Sequence, residues 1–212
     1  RRCIDIGSNN ACNAIHYAER FEWVECFEPT LLAQQLWRNT VKDNGVKNCT
    51  LHTSALGEYT GSTEIITHPR NGGHNHLTHY DKNPRARGTE KTLQTVDVRT
   101  LDSYGFEEVD FVKIDVEGYE LFVLEGALQT ILHTRPTLQL ELVEAQCRKF
   151  DYARKDIADL FDTLNYKCCS KINGWIDLRQ HKEGRGEMDL FFVPQENIQN
   201  LPPKLALFEQ AL

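Results

Sequence analysis

The chain has 212 residues, a length that suits one domain with a substantial core. Lys and Arg number 24 against 31 Asp and Glu, and the net charge of -7 would repel a phosphate backbone, so nucleic acid is excluded as the expected partner. No apolar run reaches the length of a bilayer crossing, and the first residues enter a strand pattern at once, so neither a membrane span nor a signal peptide is expected.

The first element runs from Cys3 to Gly7 (CIDIG), followed by Ser8, Asn9 and Asn10 and a helical run from Ala11 to Ala18. Gly7 can adopt a positive φ and let a ligand approach the backbone, while the amides opening the helix favour an anionic or polar group. A steric glycine is the plainer alternative. A dinucleotide fingerprint would need glycine at positions 9 and 12, where the chain has Asn9 and Cys12, so NAD is disfavoured. Trp23 to Glu28 (WVECFE) reads as the second strand, stopped by Pro29 so that Glu28 stays at its tip. A carboxylate about twenty residues after the glycine turn can accept both hydroxyls of an adenosine ribose; a solvated strand end is the alternative.

The stretch from Gly57 to about Thr92 is least like a strand-helix unit. It holds a strand candidate at residues 62–68, then Pro69, Asn71, Gly72 and Gly73, the histidines His74, His76 and His79, and the basic residues Lys82, Arg85 and Arg87. It reads as a loop insertion over the site, a lid or a pocket wall. The histidine spacing matches no helix-borne ligand pair, so no metal is assigned, but a histidine such as His79 could act as a base.

Val109 to Val116 (VDFVKIDV) is a β-branched strand, and Gly118 opens a helical pattern at Leu121, Leu124, Leu128 and Leu132. Asp115 and Glu117 therefore fall at the carboxyl edge of a sheet, where open α/β folds bind ligands; capping the next helix is their structural alternative. Pro136 to Val143 is a fifth strand with Glu141 and Glu144 near its end, and Asp156 to Leu164 a helix on Ile157, Leu160, Phe161 and Leu164. Tyr166 to Ser170, Trp175 to Leu178 and Met188 to Val193 suggest a closing hairpin, and the tail after Pro203 a docking helix. The 7 cysteines form no CxxC pair, which points to reduced thiols in a cytoplasmic protein and not to a zinc site. Arg1 and Arg2 abut the first strand, so an upstream domain in a longer protein is expected.

In order, DIGSNN, FEP, SALG at Ser54 to Gly57, TLDSY at Thr100 to Tyr104, KIDVEGYE at Lys113 to Glu120, and EGAL resemble the FkbM family of S-adenosylmethionine-dependent methyltransferases. The resemblance covers about residues 3 to 144 and departs at Ala11, where the family's first motif usually closes on glycine. It implies a class I methyltransferase fold: α/β, with seven strands, mostly parallel, helices on both faces and an antiparallel last strand. It places Asp5, Gly7, Ser8, Asn9, Asn10, Glu28, Pro29, Ser54, Ala55, Leu56 and Asp115 on S-adenosylmethionine, which leaves as S-adenosylhomocysteine. The implied chemistry is in-line attack of a substrate oxygen on the cofactor's methyl group, with geometry contributing most of the acceleration. Asp115 is the first candidate for the acid beside the acceptor hydroxyl, with Glu117, Glu141 or His79 as alternates; a metal that acidifies the hydroxyl would be a substitute. The family suggests O-methylation of a sugar, glycan or secondary metabolite. An NAD-dependent nucleotide-sugar oxidoreductase, which would share the Glu28 logic, and a noncatalytic cofactor-binding module are the two other classes.

Overall fold

The computed structural model describes residues 1–67, 75–79, 92–170, 173–181 and 189–200. From the amino terminus, β1 (Arg2–Ile6) leads into α1 (Cys12–Ala18) and β2 (Trp23–Phe27) into α2 (Leu31–Asp43). There follow β3 (Cys49–His52), β4 (Ala55–Leu56), β5 (Gly61–Thr67), β6 (His76–Leu77) and β7 (Thr92–Arg99). A short 3-10 helix at Leu101–Tyr104 precedes β8 (Phe111–Ile114), α3 (Glu120–Glu125) and α4 (Leu128–Thr134). Then come β9 (Thr137–Glu141), α5 (Glu144–Cys147), α6 (Arg154–Thr163), β10 (Tyr166–Ser170), β11 (Gly174–Trp175) and β12 (Asp189–Pro194).

The main sheet has the order β11-β10-β12-β9-β8-β1-β2-β3; its five strands from β9 to β3 are parallel, and β12 runs antiparallel to both neighbours. The mostly parallel sheet and its reversed last strand match the expected class I arrangement, and the strand count rises from seven to eight because the two-residue β11 extends the β10 edge. The chain travels from β1 outward to β3 and returns to β8 on the other side, so the strand order reverses beside β1. That reversal opens a crevice at the carboxyl ends of β1 and β8.

Strands covered on both faces read as apolar runs, and β1 and β2 follow that rule. Ile4 and Ile6 enter the main core with Val112, Ile114, Leu138 and Leu140, while Cys3, Val24 and Cys26 meet Ala14 of α1 and Trp37 of α2 on the opposite face. All the cysteines are free thiols, and Cys3 and Cys26 act as small buried hydrophobes.

Two expectations need correction. The stretch from Gly57 to Thr92, expected as a loop insertion with one strand candidate at residues 62–68, holds that strand as β5 and a second, β6, and both join β4 and β7 in a four-stranded sheet of order β4-β7-β5-β6. The signal was present in TLQTVDVR, whose Val96 and Val98 are buried between exposed neighbours, the alternation of a half-buried strand. Residues 68–74 and 80–91, with His74, Lys82, Arg85 and Arg87, lie outside the described residues, as do Met188 and the tail from Leu201.

The single helix expected from Gly118 through Leu132 is two helices, broken at Gly126 and Ala127. The buried stripe is Val123, Leu124, Ala127 and Ile131, whereas Leu132 is 52% exposed. The break has a visible cause in the TLDSY segment. The Asp102 amide donates to the Gly126 carbonyl at 3.0 Å, and its carboxylate accepts from the amides of Gln129 (3.0 Å) and Thr130 (2.8 Å), satisfying donors that the first turn of α4 leaves open. The EGAL glycine also lies against the backbone of the SALG glycine: a Cβ on Gly126 would stand 1.9 Å from the Gly57 carbonyl oxygen. Gly126→Ala is therefore expected to force the second sheet and α3 apart at a cost of about 2 kcal/mol. Thermal melts should show a Tm lower by about 4 to 8 °C; an unchanged Tm would mean the two backbones do not meet.

Candidate functional site

A cavity of about 300 Å³ occupies the crevice at the carboxyl ends of β1, β2 and β8. Gly7, Ser8, Asn9, Asn10, Glu28, Pro29, Ser54, Ala55, Leu56, Asp115, Glu117 and Glu141 all line it. Of the residues singled out from the sequence, Asp5 and His79 do not.

Gly7 closes β1 at φ 81°, and a Cβ there would lie 1.9 Å from the Asp115 carbonyl oxygen. No side chain fits, because the ends of β1 and β8 touch through backbone. The expectation that the amides here face an anionic or polar group is narrowed, because five of them have partners within the fold. Gly7 and Ser8 both donate to the Phe27 carbonyl (3.0 and 3.1 Å), Ala11 donates to the Ser8 carbonyl and Cys12 to the Asn10 side chain. The Asn9 amide donates to Glu28 Oε2 at 3.1 Å. These five amides serve the fold, while Gly7, Ser8, Asn9 and Asn10 all line the cavity. Ala11, standing where the family has glycine, holds the left-handed conformation at φ 69° that glycine adopts without strain.

Glu28 sits at the tip of β2, only 6% exposed. Its Oε1 accepts from the Thr30 amide at 2.8 Å and the Thr30 hydroxyl at 2.6 Å, while Oε2 takes the Asn9 amide. A carboxylate offers about four acceptor positions, so roughly one remains, on Oε2, for a ligand. The sequence reading had both hydroxyls of a ribose bound there; this arrangement has room for one. Burial raises the Glu28 pKa, with the Thr30 and Asn9 hydrogen bonds opposing it.

The acids at the ends of β8 and β9 form a graded set around one buried cation. Lys113, 5% exposed, places its Nζ 2.7 Å from Asp115 Oδ2 and lies beside Asp5 in strand register. Burial works against the Lys113 charge, but Asp115 and Asp5 outweigh it and hold the ammonium above its ordinary pKa. Burial likewise works to raise Asp115, but the Lys113 charge prevails and lowers it. Glu117 is pushed up to about 7, by burial and then by the Asp115 charge. Glu141, adjacent through the pairing of Ile114 with Leu140, is pushed up to about 8 by burial and by its hydrogen bond and charge contact with Asp115. Asp5 itself is fully buried beneath the cavity, its pKa raised by burial and opposed by Lys113.

Glu117 takes φ 57° and accepts a hydrogen bond from Gln146 Nε2, so the turn after β8 is anchored to α5. Glu120, the last acid of KIDVEGYE, is 1% exposed and outside the cavity; it accepts from the amides of Val116 (3.2 Å) and Gly118 (3.1 Å) and from the Tyr152 hydroxyl (3.0 Å), bracing the loop that carries Glu117. The Ser54 and Tyr104 hydroxyls, 2.7 Å apart, join the SALG and TLDSY segments beside the cavity. His79 lies against Tyr59, the ring centres 5.0 Å apart and the planes tilted by 47°, and is not among the cavity-lining residues, and His76 is buried in the second sheet. That sheet supplies a wall instead, through Ile65, Asn75 and Leu77.

Lys113 went unnoticed in the sequence, although a lysine within an apolar strand, two residues before an acid on the same face, is a recognisable sign of a buried pair. Nothing local distinguishes Ile65 or Leu77 from ordinary strand residues. Among the described residues no group of three or more His, Cys, Asp or Glu is placed to hold a metal ion, and no helix is long and apolar enough to cross a membrane.

The family model for the methyltransferase FkbM domain matches residues 5–168. The chain belongs to the FkbM methyltransferase family. Among solved structures, the methyltransferase FkbM of Methylobacillus flagellatus KT superposes with a TM-score of 0.56 at 22% identity, covering 90% of this chain and 43% of that one. The chain thus spans less than half the length of that relative and shares its class I methyltransferase fold. A Streptococcus mutans protein described as a methyltransferase and crystallised with SAH aligns over 90% of this chain and 86% of its own, at 12% identity and a TM-score of 0.47. No curated protein matches the chain by sequence.

The raised acids couple the site to stability. Glu117 and Glu141 have folded-state values of about 7 and about 8 against an ordinary 4.5, so between those limits the folded chain binds more protons than the unfolded one. Stability therefore falls as pH rises through that window. Urea midpoints measured from about pH 5 to about pH 8 should decline, and the Glu117→Gln, Glu141→Gln double variant should flatten the decline. A slope unaffected by the double variant would contradict the assigned environments.

Proposed function

We propose that this FkbM domain is an S-adenosylmethionine-dependent O-methyltransferase acting on a hydroxyl of a sugar, a glycan or a secondary metabolite. The observation that carries this reading is the convergence, in one cavity, of the glycine contact at β1, the buried Glu28 and the Asp115 to Glu141 acid pair.

The residues fit the cofactor. Gly7 to Asn10 line the cavity beside the ends of β1 and β8, and Glu28 retains an acceptor position for a ribose hydroxyl. Gly7 to Asn10, Glu28, Pro29 and the Ser54 to Leu56 segment would hold the nucleoside, with Asp115 toward the reacting end. When bound, S-adenosylmethionine supplies an electrophilic methyl group on a cationic sulfur. The rest of the chemistry is proton management by the chain. Asp115, held ionised by Lys113, is a weak base but a fixed negative charge at the reacting end. Glu141, at about 8, has the affinity to take the proton of a poorly acidic hydroxyl near neutral pH, so it replaces Asp115 as the preferred general base.

Glu141→Gln is expected to lower kcat by about 10² to 10⁴ while leaving cofactor affinity near that of the unaltered chain. In the unaltered enzyme the rate should climb with pH and pass through half its plateau near pH 8, as Glu141 loses its proton. A profile that survives Glu141→Gln would move the base elsewhere. Glu28→Ala removes a charged hydrogen-bond acceptor and should weaken S-adenosylhomocysteine binding by about 10- to 100-fold in calorimetry. Titration with NAD alongside discriminates the oxidoreductase reading, for which NAD would be the tighter ligand. Turnover across a panel of sugars and phenols discriminates a noncatalytic module, which would bind the cofactor and transfer nothing.

A further inference from the structure

The turn that presents Glu28 is held in place from the second sheet. α2 begins at Leu31, and its cap residue Thr30 does not cap: the hydroxyl points back to Glu28 at 2.6 Å. The first amides of a helix lack partners within it, so the Leu31 N–H, at the first helical position, has to be satisfied from outside. Gln94 of β7 supplies the partner: its Oε1 accepts from the Leu31 amide at 3.1 Å, and its Nε2 donates to the Pro29 carbonyl at 3.1 Å. One side-chain amide thus brackets Thr30 on both sides, and Thr30 contributes two of the three hydrogen bonds that orient the Glu28 carboxylate. Gln94 also lies opposite Ile65 in the β5–β7 register, and Ile65 pairs with Leu77, so the strand that fixes the turn adjoins the strands that wall the cavity.

We propose that Gln94 is a positioning residue for cofactor binding: by clamping Pro29 and Leu31 it keeps Thr30 where Thr30 holds Glu28 for the ribose. The inference rests on the reading of Glu28 as the ribose acceptor. Gln94 touches no ligand itself; its effect passes through Thr30 to the carboxylate.

The test is calorimetry of the full chain with S-adenosylhomocysteine, in a double-mutant cycle. Gln94→Met keeps the length and removes both hydrogen bonds, and is expected to raise Kd by about 3- to 10-fold. Gln94→Glu keeps the acceptor for Leu31 but loses the donor to Pro29, and is expected to bind less tightly than the unaltered chain as well. Leu93→Ala, an exposed neighbour on the same strand, should leave Kd unchanged. In the Glu28→Ala background, Gln94→Met should add nothing, because the carboxylate it positions is gone; a merely structural role would persist there with full additivity. Amide hydrogen exchange over Thr30 to Leu32 should quicken in Gln94→Met. Unaltered affinity in either Gln94 variant, with Glu28→Ala weakened, overturns the inference and leaves the Glu28 reading intact. Unaltered affinity in Glu28→Ala overturns both.

Discussion

At the centre of the sheet, β1 and β8 approach so closely at their carboxyl ends that the Asp115 carbonyl occupies the place of a side chain on Gly7. The Asp115 amide meanwhile donates to the Ile6 carbonyl at 3.1 Å, so the two strand ends are locked in register up to the last residue before their turns. With that lock in place, the turn from Ser8 to Asn10 and the acids after β8 face one another across the cavity. Loosening it by any side chain at position 7 would separate the cofactor half of the site from the acid half. The remaining elements refine that arrangement. Thr30 and Asn9 orient Glu28, Glu120 and Tyr152 brace the loop bearing Glu117, and Gln146 reaches Glu117 from α5.

The electrostatics follow from one strand. Lys113 and Asp115 share a face of β8 by the two-residue period, and register sets Asp5 and Gln139 beside Lys113. A lysine buried among carboxylates stays charged because removing either sign alone would leave an uncompensated ion in a poorly solvated place. It holds Asp115 low, while burial and then contact with the Asp115 charge raise Glu141 and Glu117. Pairs of acids with pKa values pushed apart are a common arrangement for proton transfer.

Much of this was legible because it is local. Gly7, the tip of WVECFE and the end of VDFVKIDV are each marked by a strand pattern stopping at a residue of distinct chemistry, and the structure sets them around one cavity. TLDSY and EGAL were visible only as motifs; their physical meaning is the Asp102 carboxylate seated on the start of α4 and the contact of Gly126 with Gly57. What escaped detection is nonlocal. The break between α3 and α4 is imposed from the TLDSY segment, and a leucine stripe at helical spacing gave no warning of it. The bond from Gln94 to Leu31 spans 63 positions of chain and lies in a strand paired within a separate sheet, so no periodicity could announce it. The amides of the turn were expected to face a ligand, but those of Gly7 and Ser8 are taken by the Phe27 carbonyl, a partner that only the pairing of β1 with β2 brings there.

The carboxylates on the cavity wall have a further effect on the cycle proposed for this site. Asp115 is ionised at neutral pH but offset by the Lys113 ammonium, and Glu117 and Glu141 add negative charge as pH climbs, so the local potential increasingly rewards an occupant bearing positive charge over its neutral counterpart. A reaction that discharges the donor would thereby loosen its own spent product, and the same side chains would favour loading at the start of a turnover and emptying at its end.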